Sequence, residues 1–139
     1  MKPKPLLLIG AGKIGQVCAD LLAGSGDYRV MLADRDAAAL AKLRKADNVT
    51  TLTLDVADEA ALRSALQGQW AVLSAAPFHL TIKIAEAARA AGVHYLDLTE
   101  DVASTRQIRA LAEGAATAFI PQCGLAPGFI SIVAADLAA

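Results

Sequence analysis

Residues 6–15 read LLLIGAGKIG and decide the fold class of this chain. Leu6–Ile9 form a short continuous apolar run, which predicts a strand that is buried on both faces of a sheet. Three glycines follow at the G-x-G-x-x-G spacing, directly before a helical pattern. In that context Gly10 permits a tight turn, Gly12 lets a pyrophosphate approach the backbone, and Gly15 lets the helix pack closely on the sheet. The stretch therefore predicts a strand, turn and helix that bind a dinucleotide.

The start of this first helix is suited to an anion, and an acid follows at a suitable distance. Free N–H groups and the helix dipole would face the pyrophosphate, and Lys13 adds a positive charge. Asp34 ends the second apolar strand, close to the spacing of roughly 20 residues at which an acid accepts ribose hydroxyls. A carboxylate there favours NAD because it would repel the 2′-phosphate of NADP. Arg35 keeps NADP open, since a guanidinium can bind that phosphate, although a solvated charge is its simpler interpretation.

Strands and helices alternate along the rest of the chain. This alternation predicts an α/β fold, a doubly wound parallel sheet of about six strands in the order 3-2-1-4-5-6, with helices on both faces in three layers. We expect residues 1–139 to form a single Rossmann domain. The predicted strands are Leu6–Ile9, Tyr28–Ala33, Val49–Leu54, Trp70–Ser74, Val93–Leu98 and Ala118–Pro121. The predicted helices are Lys13–Ala23, one capped by Asp36, Asp58–Leu66, Leu80–Ala91 and one opened by a capping box at 104–107.

Two further segments follow strands at the edge where parallel sheets bind ligands. Asp55 and Val56 come after the third strand, and residues 74–77 (SAAP) come after the fourth. The small residues of the second segment would let a dinucleotide cross the sheet edge without a clash. Plain connecting structure remains the alternative interpretation for both segments.

Composition excludes several other classes of protein. The formal net charge of -1 provides no basic surface for nucleic acid. The apolar runs are far shorter than the roughly 18 residues of a membrane span, and no secretory signal is visible. Cys18 and Cys123 lie far apart with no CxxC motif, which suits a reducing cytoplasm. The pattern thus indicates a cytoplasmic, globular chain that binds a small molecule, with no nucleic-acid or membrane partner.

Six stretches of the chain resemble the saccharopine dehydrogenase family, which includes saccharopine reductases and lysine 6-dehydrogenase-like proteins. They are IGAGKIG (9–15), ADRD (33–36), LDV (54–56), SAAPF (74–78), GVHYLDLTE (92–100) and QCGLAPGF (122–129). Many Rossmann proteins share the first three, whereas the last two are much more specific. The order and spacing of the stretches resemble the family from end to end of the chain.

The resemblance implies a cofactor site and a function. It implies the NAD(P)-binding part of an oxidoreductase that acts on the C–N bond of an amino-acid substrate, and Asp34 favours NAD as the cofactor. It also implies that Gly124–Gly128 leads into a substrate domain that this chain lacks, with 127–139 the start of a connecting helix, so that the isolated chain would be inactive. The implied cofactor-binding residues are Gly10, Gly12, Lys13, Ile14, Gly15, Asp34, Arg35, Asp55, Val56, Ala75, Ala76 and Pro77.

Two other classes of protein share parts of this pattern. A regulatory NAD-sensing domain of the ion-transport type also begins with a glycine motif and an acid after the second strand, and a methyltransferase also has a glycine loop. We name no catalytic residue and expect no metal, because His94 and Asp97 should point to opposite faces of a strand. A solvent-facing or cleft-facing acidic loop after the fifth strand is the better interpretation of the group formed by His94, Asp97, Glu100 and Asp101. The apolar stripe within 129–137 leaves a homo-oligomer open.

Overall fold

The computed structural model of the chain describes residues 2–43 and 46–139. Its strands are β1 (Lys4–Ile9), β2 (Tyr28–Asp34), β3 (Val49–Thr53), β4 (Ala71–Ser74), β5 (His94–Asp97) and β6 (Phe119–Ile120). In the described part of the chain they form one parallel sheet with the order β3-β2-β1-β4-β5-β6. The predicted fold class and strand order are confirmed.

Helices cover both faces of this sheet, which gives the predicted three layers. They are α1 (Lys13–Gly24), α2 (Ala37–Ala41), α3 (Glu59–Leu66), α4 (Thr81–Ala91), α5 (Val102–Ala112) and α6 (Ile130–Ala138), with short helical turns at Phe78–Leu80 and Leu125–Phe129. On one face, α1 and α2 pack against Leu6 and Leu8 of β1. On the other face, α3, α4 and α5 pack against Leu7 of the same strand.

The central position of β1 follows from its sequence. Its apolar residues alternate between the two faces, and each face is covered by helices, so Leu7 and Leu8 are both fully buried. A strand with one solvated face would instead alternate apolar and polar residues. Central placement brings the carboxyl end of β1, and the glycines after it, between the ends of β2 and β4. The fold therefore presents the glycine turn at the middle of the sheet edge.

The first turn of α5 differs from the sequence-based prediction. The capping box at 104–107 was expected to open this helix, but the helix begins at Val102 with Asp101 as its N-cap. The Asp101 carboxylate accepts the N–H of Ser104 at 2.7 Å, and this bond lowers the pKa of the carboxyl group. Ser104 is itself buried, so its hydroxyl lies inside the first turn and not before it. An aspartate three residues upstream provides the same capping chemistry and moves the helix start toward β5.

The C-terminal helix α6 has no buried residue. Ile132 and Leu137 are 70% and 82% exposed. Self-association through this apolar surface remains a prediction. Among the described residues no helix combines the length and the apolar character needed to cross a membrane.

Candidate functional site

Two of the three motif glycines stand where a side chain would collide with backbone. Gly10 has a φ of +110°, and a Cβ on it would lie 2.7 Å from the carbonyl oxygen of Ala75 after β4. A Cβ on Gly15 would overlap the carbonyl oxygen of Gly10. The turn after β1 is thus packed between α1 and the end of β4 with no room for a methyl group.

The third motif glycine faces open space. Gly12 is the N-cap of α1, with an extended φ of -67° and ψ of -177°, and a Cβ there would meet no atom within 4 Å. Its neighbours Lys13 and Ile14 are also exposed. No acidic side chain lies in the first turn of α1, so nothing there opposes an anion at the helix N-terminus. The backbone is therefore accessible to an anionic group at the position that the sequence predicted.

Asp34 joins the glycine turn to the end of β2. Its Oδ2 accepts the N–H of Ala11 at 2.7 Å, and its Oδ1 accepts the N–H of Asp36 at 2.9 Å. The acid is half-buried, whereas the neighbouring Arg35 is exposed. The carboxylate thus lies beside the turn, as the dinucleotide hypothesis requires, and it also fixes the position of Ala11.

The other predicted site residues differ in how exposed they are to solvent. Asp55 is exposed and accepts the N–H of Ala57 in a turn, whereas Val56 is 5% exposed and belongs to the hydrophobic core. Ala75 and Ala76 are half-buried beside the glycine turn, and Pro77 is exposed. The side chain of Val56 is therefore available to a ligand only through its small exposed fraction.

A pocket of about 190 Å³ opens between the ends of β4 and β5 and the start of α1. Ser74 lines it with a side chain that is only 2% exposed, and the Ser74 hydroxyl has no hydrogen-bond partner among the described residues. A buried hydroxyl without a partner costs on the order of 1–3 kcal/mol, so a further hydrogen-bonding group, from a water molecule or a ligand, is expected beside it. The lining residues are Ile14, Ser74, Ala75, Ala76, Phe78, Thr81, Asp97, Leu98 and Thr99.

Asp97 is more deeply buried than the sequence predicts. The sequence places it near the end of the fifth strand, beside an acidic loop that faces solvent or a cleft; it ends β5 and lines the pocket, but it is only 1% exposed. The Tyr95 hydroxyl donates to its Oδ2 at 2.8 Å, and the N–H groups of Thr99 and Gln122 donate to its Oδ1 at 3.0 Å. Both oxygens of the Asp97 side chain therefore act as hydrogen-bond acceptors.

Segment 121–124 packs against Asp97 and hydrogen-bonds to it. Gln122 has a φ of +60°, unusual for a residue with a side chain. The N–H and thiol of Cys123 both donate to the backbone carbonyl of Asp97, at 2.9 and 3.0 Å. Burial and the nearby Asp97 charge raise the pKa of the Cys123 thiol, and the same two causes raise the pKa of Tyr95. Cys123 and Tyr95 are therefore held protonated around the Asp97 carboxylate.

We expect the free energy of unfolding to fall as pH rises above about 9. The pKa of Cys123 is raised in the folded state, so the unfolded thiol ionises first, near its ordinary pKa of 9.0, and the unfolded state gains stability. Urea titrations at about pH 8 and about pH 10 measure this loss. The Cys123→Ala variant should lose less stability over the same interval, and an identical loss in both proteins would refute this cause.

The two histidines and Cys18 do not line the pocket. His94 begins β5, at the end of the strand away from the pocket. Its ring centroid lies 5.2 Å from that of Trp70, and its Nδ1 accepts the N–H of Ala118. His79 is exposed in the turn after β4. Cys18 is half-buried against the core. Its burial raises the pKa of its thiol.

The turn, the acid and the pocket together define a class of domain. A glycine turn at a helix N-terminus, an acid at the end of β2 and a pocket at the ends of β4 and β5 form one continuous edge of a parallel sheet, the arrangement of a dinucleotide-binding Rossmann domain. The free backbone at Gly12 and the unpartnered Ser74 hydroxyl both fit such a ligand.

The family follows from comparison with known proteins. The model of the saccharopine dehydrogenase NADP binding domain matches residues 6–120, and the chain belongs to this family. Apo saccharopine dehydrogenase (L-Glu forming) from Saccharomyces cerevisiae is 25% identical, with a TM-score of 0.85 over 96% of this chain. This chain covers only 30% of that yeast protein.

Two other solved structures have similar folds. A Rossmann-fold NAD(P)-binding family protein from Shigella flexneri is 22% identical, with a TM-score of 0.64 over 85% of this chain and 66% of that one. A variant of uronate dehydrogenase from Agrobacterium tumefaciens, complexed with NAD, is 24% identical, with a TM-score of 0.54 over 69% of this chain and 40% of that one. This chain is therefore an NAD(P)-binding Rossmann domain of the kind found in saccharopine dehydrogenase-like and related oxidoreductases.

Proposed function

We propose that this chain holds NAD(P) across the carboxyl edge of its sheet, as the cofactor-binding part of an oxidoreductase that acts on a C–N bond of an amino-acid substrate. The observation that carries the proposal is the contrast among the motif glycines: Gly10 and Gly15 are packed against backbone, whereas Gly12 faces open space at a helix N-terminus. A glycine with no packing role at that point is explained by a ligand that approaches the backbone.

In this proposal a different group of residues binds each part of the cofactor. Gly12, Lys13 and Ile14 receive the pyrophosphate on the first turn of α1. Asp34 accepts the adenosine ribose hydroxyls, with Arg35, Asp55 and Val56 beside it. Ala75, Ala76 and Pro77 let the cofactor cross toward the pocket at the ends of β4 and β5. A bound cofactor would supply hydride transfer, while these residues bind and orient it.

The substrate proposal has a different basis. It rests on the family and on the yeast relative, whose name is that of a saccharopine dehydrogenase. Because this chain covers 30% of that relative, we propose that further chain forms the other wall of the substrate cleft. The chain alone would then bind cofactor without turnover. The cytoplasm remains the expected location.

We expect Asp34→Ala to shift cofactor preference toward the phosphorylated form. Removal of the carboxylate takes away both the ribose contact and the repulsion of a 2′-phosphate, so the ratio of NADP to NAD affinity should rise by about tenfold. The loss of the Ala11 contact lowers both affinities, which makes the ratio the informative quantity. Isothermal titration with NAD, NADH, NADP and NADPH measures it.

The exposed Asp20 on α1 provides a matched control, because Asp20→Ala removes the same charge outside the site. An unchanged NADP to NAD ratio in Asp34→Ala would assign Asp34 to loop structure alone. Failure of all four dinucleotides to bind the unmodified chain at millimolar concentration would refute the proposed function of the chain.

A further inference from the structure

The pocket at the ends of β4 and β5 has an unusual distribution of charge. Asp97 is the one ionisable side chain among its lining residues, and every other lining group is apolar or a neutral hydroxyl. The Asp97 carboxylate receives its hydrogen bonds from neutral donors, the Tyr95 hydroxyl and two backbone N–H groups. Lys83 and Glu59 form the one ion pair in the described part of the chain, so no cation pairs with Asp97 there.

A buried carboxylate without a cation makes its surroundings favour positive charge. Coulomb interactions are several times stronger at a protein surface or interior than in bulk water, because less water screens them. Ser74 and Asp97 are partners in the register of β4 and β5. The unpartnered Ser74 hydroxyl therefore lies on the same small patch of sheet edge as the buried charge. The pocket thus offers the unpartnered Ser74 hydroxyl and one negative charge to whatever enters it.

The two redox forms of the proposed cofactor differ in charge at the group that would enter this pocket. The nicotinamide ring carries a positive charge when oxidised and none when reduced. We infer that Asp97 makes the pocket discriminate between the redox states of the cofactor, so that the oxidised dinucleotide binds more tightly than the reduced one. This inference rests on the proposed binding of NAD(P), and it assigns a selectivity to the site beyond that binding.

The test compares three ligands in isothermal titration with the full 139-residue chain. NAD+ and NADH share every group except the charge and saturation of the nicotinamide ring, whereas ADP-ribose lacks the ring altogether. We expect NAD+ to bind the unmodified chain about tenfold more tightly than NADH. Equal affinities, or a preference for NADH, would overturn the inference, and this measurement depends on no variant.

Two substitutions separate charge from hydrogen bonding in the pocket. Asp97→Asn keeps the shape of the side chain and one acceptor oxygen but removes the charge, and should weaken NAD+ about tenfold while NADH and ADP-ribose stay within about twofold. Ser74→Ala is the matched control, because loss of a neutral hydroxyl should weaken NAD+ and NADH by the same factor. Circular dichroism confirms the fold of both variants.

The outcomes distinguish this inference from the proposed function. If ADP-ribose binds but Asp97→Asn leaves the ratio of NAD+ to NADH affinity unchanged, the inference is wrong and dinucleotide binding stands. If neither ADP-ribose nor a dinucleotide binds, the proposed function is wrong and the inference falls with it.

Discussion

Replacement of Gly15 by alanine is expected to lower the free energy of unfolding by about 3 kcal/mol and to abolish dinucleotide binding. In an ordinary helix this substitution stabilises by about 1 kcal/mol, because alanine is the better helix former. Here the added methyl group would overlap the carbonyl oxygen of Gly10, which is backbone and cannot rotate away. The overlap can be relieved only by movement of α1 away from the sheet, which dismantles the turn. Thermal unfolding should show a drop in Tm of about 10 °C.

Gly12, the N-cap of α1, and Gly24, the last residue of α1, are the control positions for this substitution. Gly12→Ala adds a methyl group in open space at an extended backbone position, so stability should change by less than about 1 kcal/mol. The same methyl group would stand between the pyrophosphate and the helix N-terminus and should weaken dinucleotide binding at least tenfold. Gly24→Ala, at the other end of the helix, should leave binding unchanged. Loss of stability in Gly12→Ala equal to that in Gly15→Ala would contradict the assignment of separate roles.

The glycine turn could be predicted from the sequence because its causes are local. A buried strand, a turn that only glycine permits and a helix N-terminus are consecutive within ten residues. Longer-range contacts of the turn with residues at the ends of β2 and β4 complete it. The alternation of apolar segments and right-handed crossovers then leaves few possible strand orders, and the predicted order is the observed one.

Helix α1 shows where periodicity alone is ambiguous. The small and apolar residues of this helix form two adjacent stripes. The stripe with the larger side chains faces solvent, where Ile14, Val17 and Leu21 are 61%, 56% and 70% exposed. The face toward the sheet contains Gly15 and Ala19, which are buried, because small residues allow the helix to approach closely. The exposed stripe is the more hydrophobic of the two, so hydrophobicity alone would assign it to the core. The sequence does not reveal how closely the helix approaches the sheet, and this distance decides which stripe is buried.

The burial of Asp97 could not be predicted from the sequence because it is a long-range effect. Residues 97–101 contain three acids within five positions, a composition typical of a solvated loop. Segment 121–124 returns 25 positions later and provides the N–H of Gln122, which covers the carboxylate. Tyr95 would have been the available signal, because residues two apart on a strand share a face and its hydroxyl needs a partner when buried.

Replacement of Asp97 by alanine is expected to lower the free energy of unfolding by about 3 kcal/mol. The substitution leaves the Tyr95 hydroxyl with only the weaker contact to the carbonyl of Thr81 at 3.4 Å. It also leaves the N–H groups of Thr99 and Gln122 without their acceptor. Urea titration monitored by circular dichroism measures the loss.

Asp97→Asn separates the acceptor role of this side chain from its charge. The amide oxygen can replace Oδ1 and accept both N–H groups, and the amide nitrogen can donate to the Tyr95 hydroxyl, so the expected loss is about 1 kcal/mol. Tyr95→Phe provides the other side of a double-mutant cycle, in which Tyr95→Phe and Asp97→Ala together should cost less than the sum of the two single losses. Additive losses would show that the two side chains do not share one interaction. A strong coupling with a mild Asp97→Asn effect would instead establish that the fold needs a hydrogen-bond acceptor at this position and does not need its negative charge.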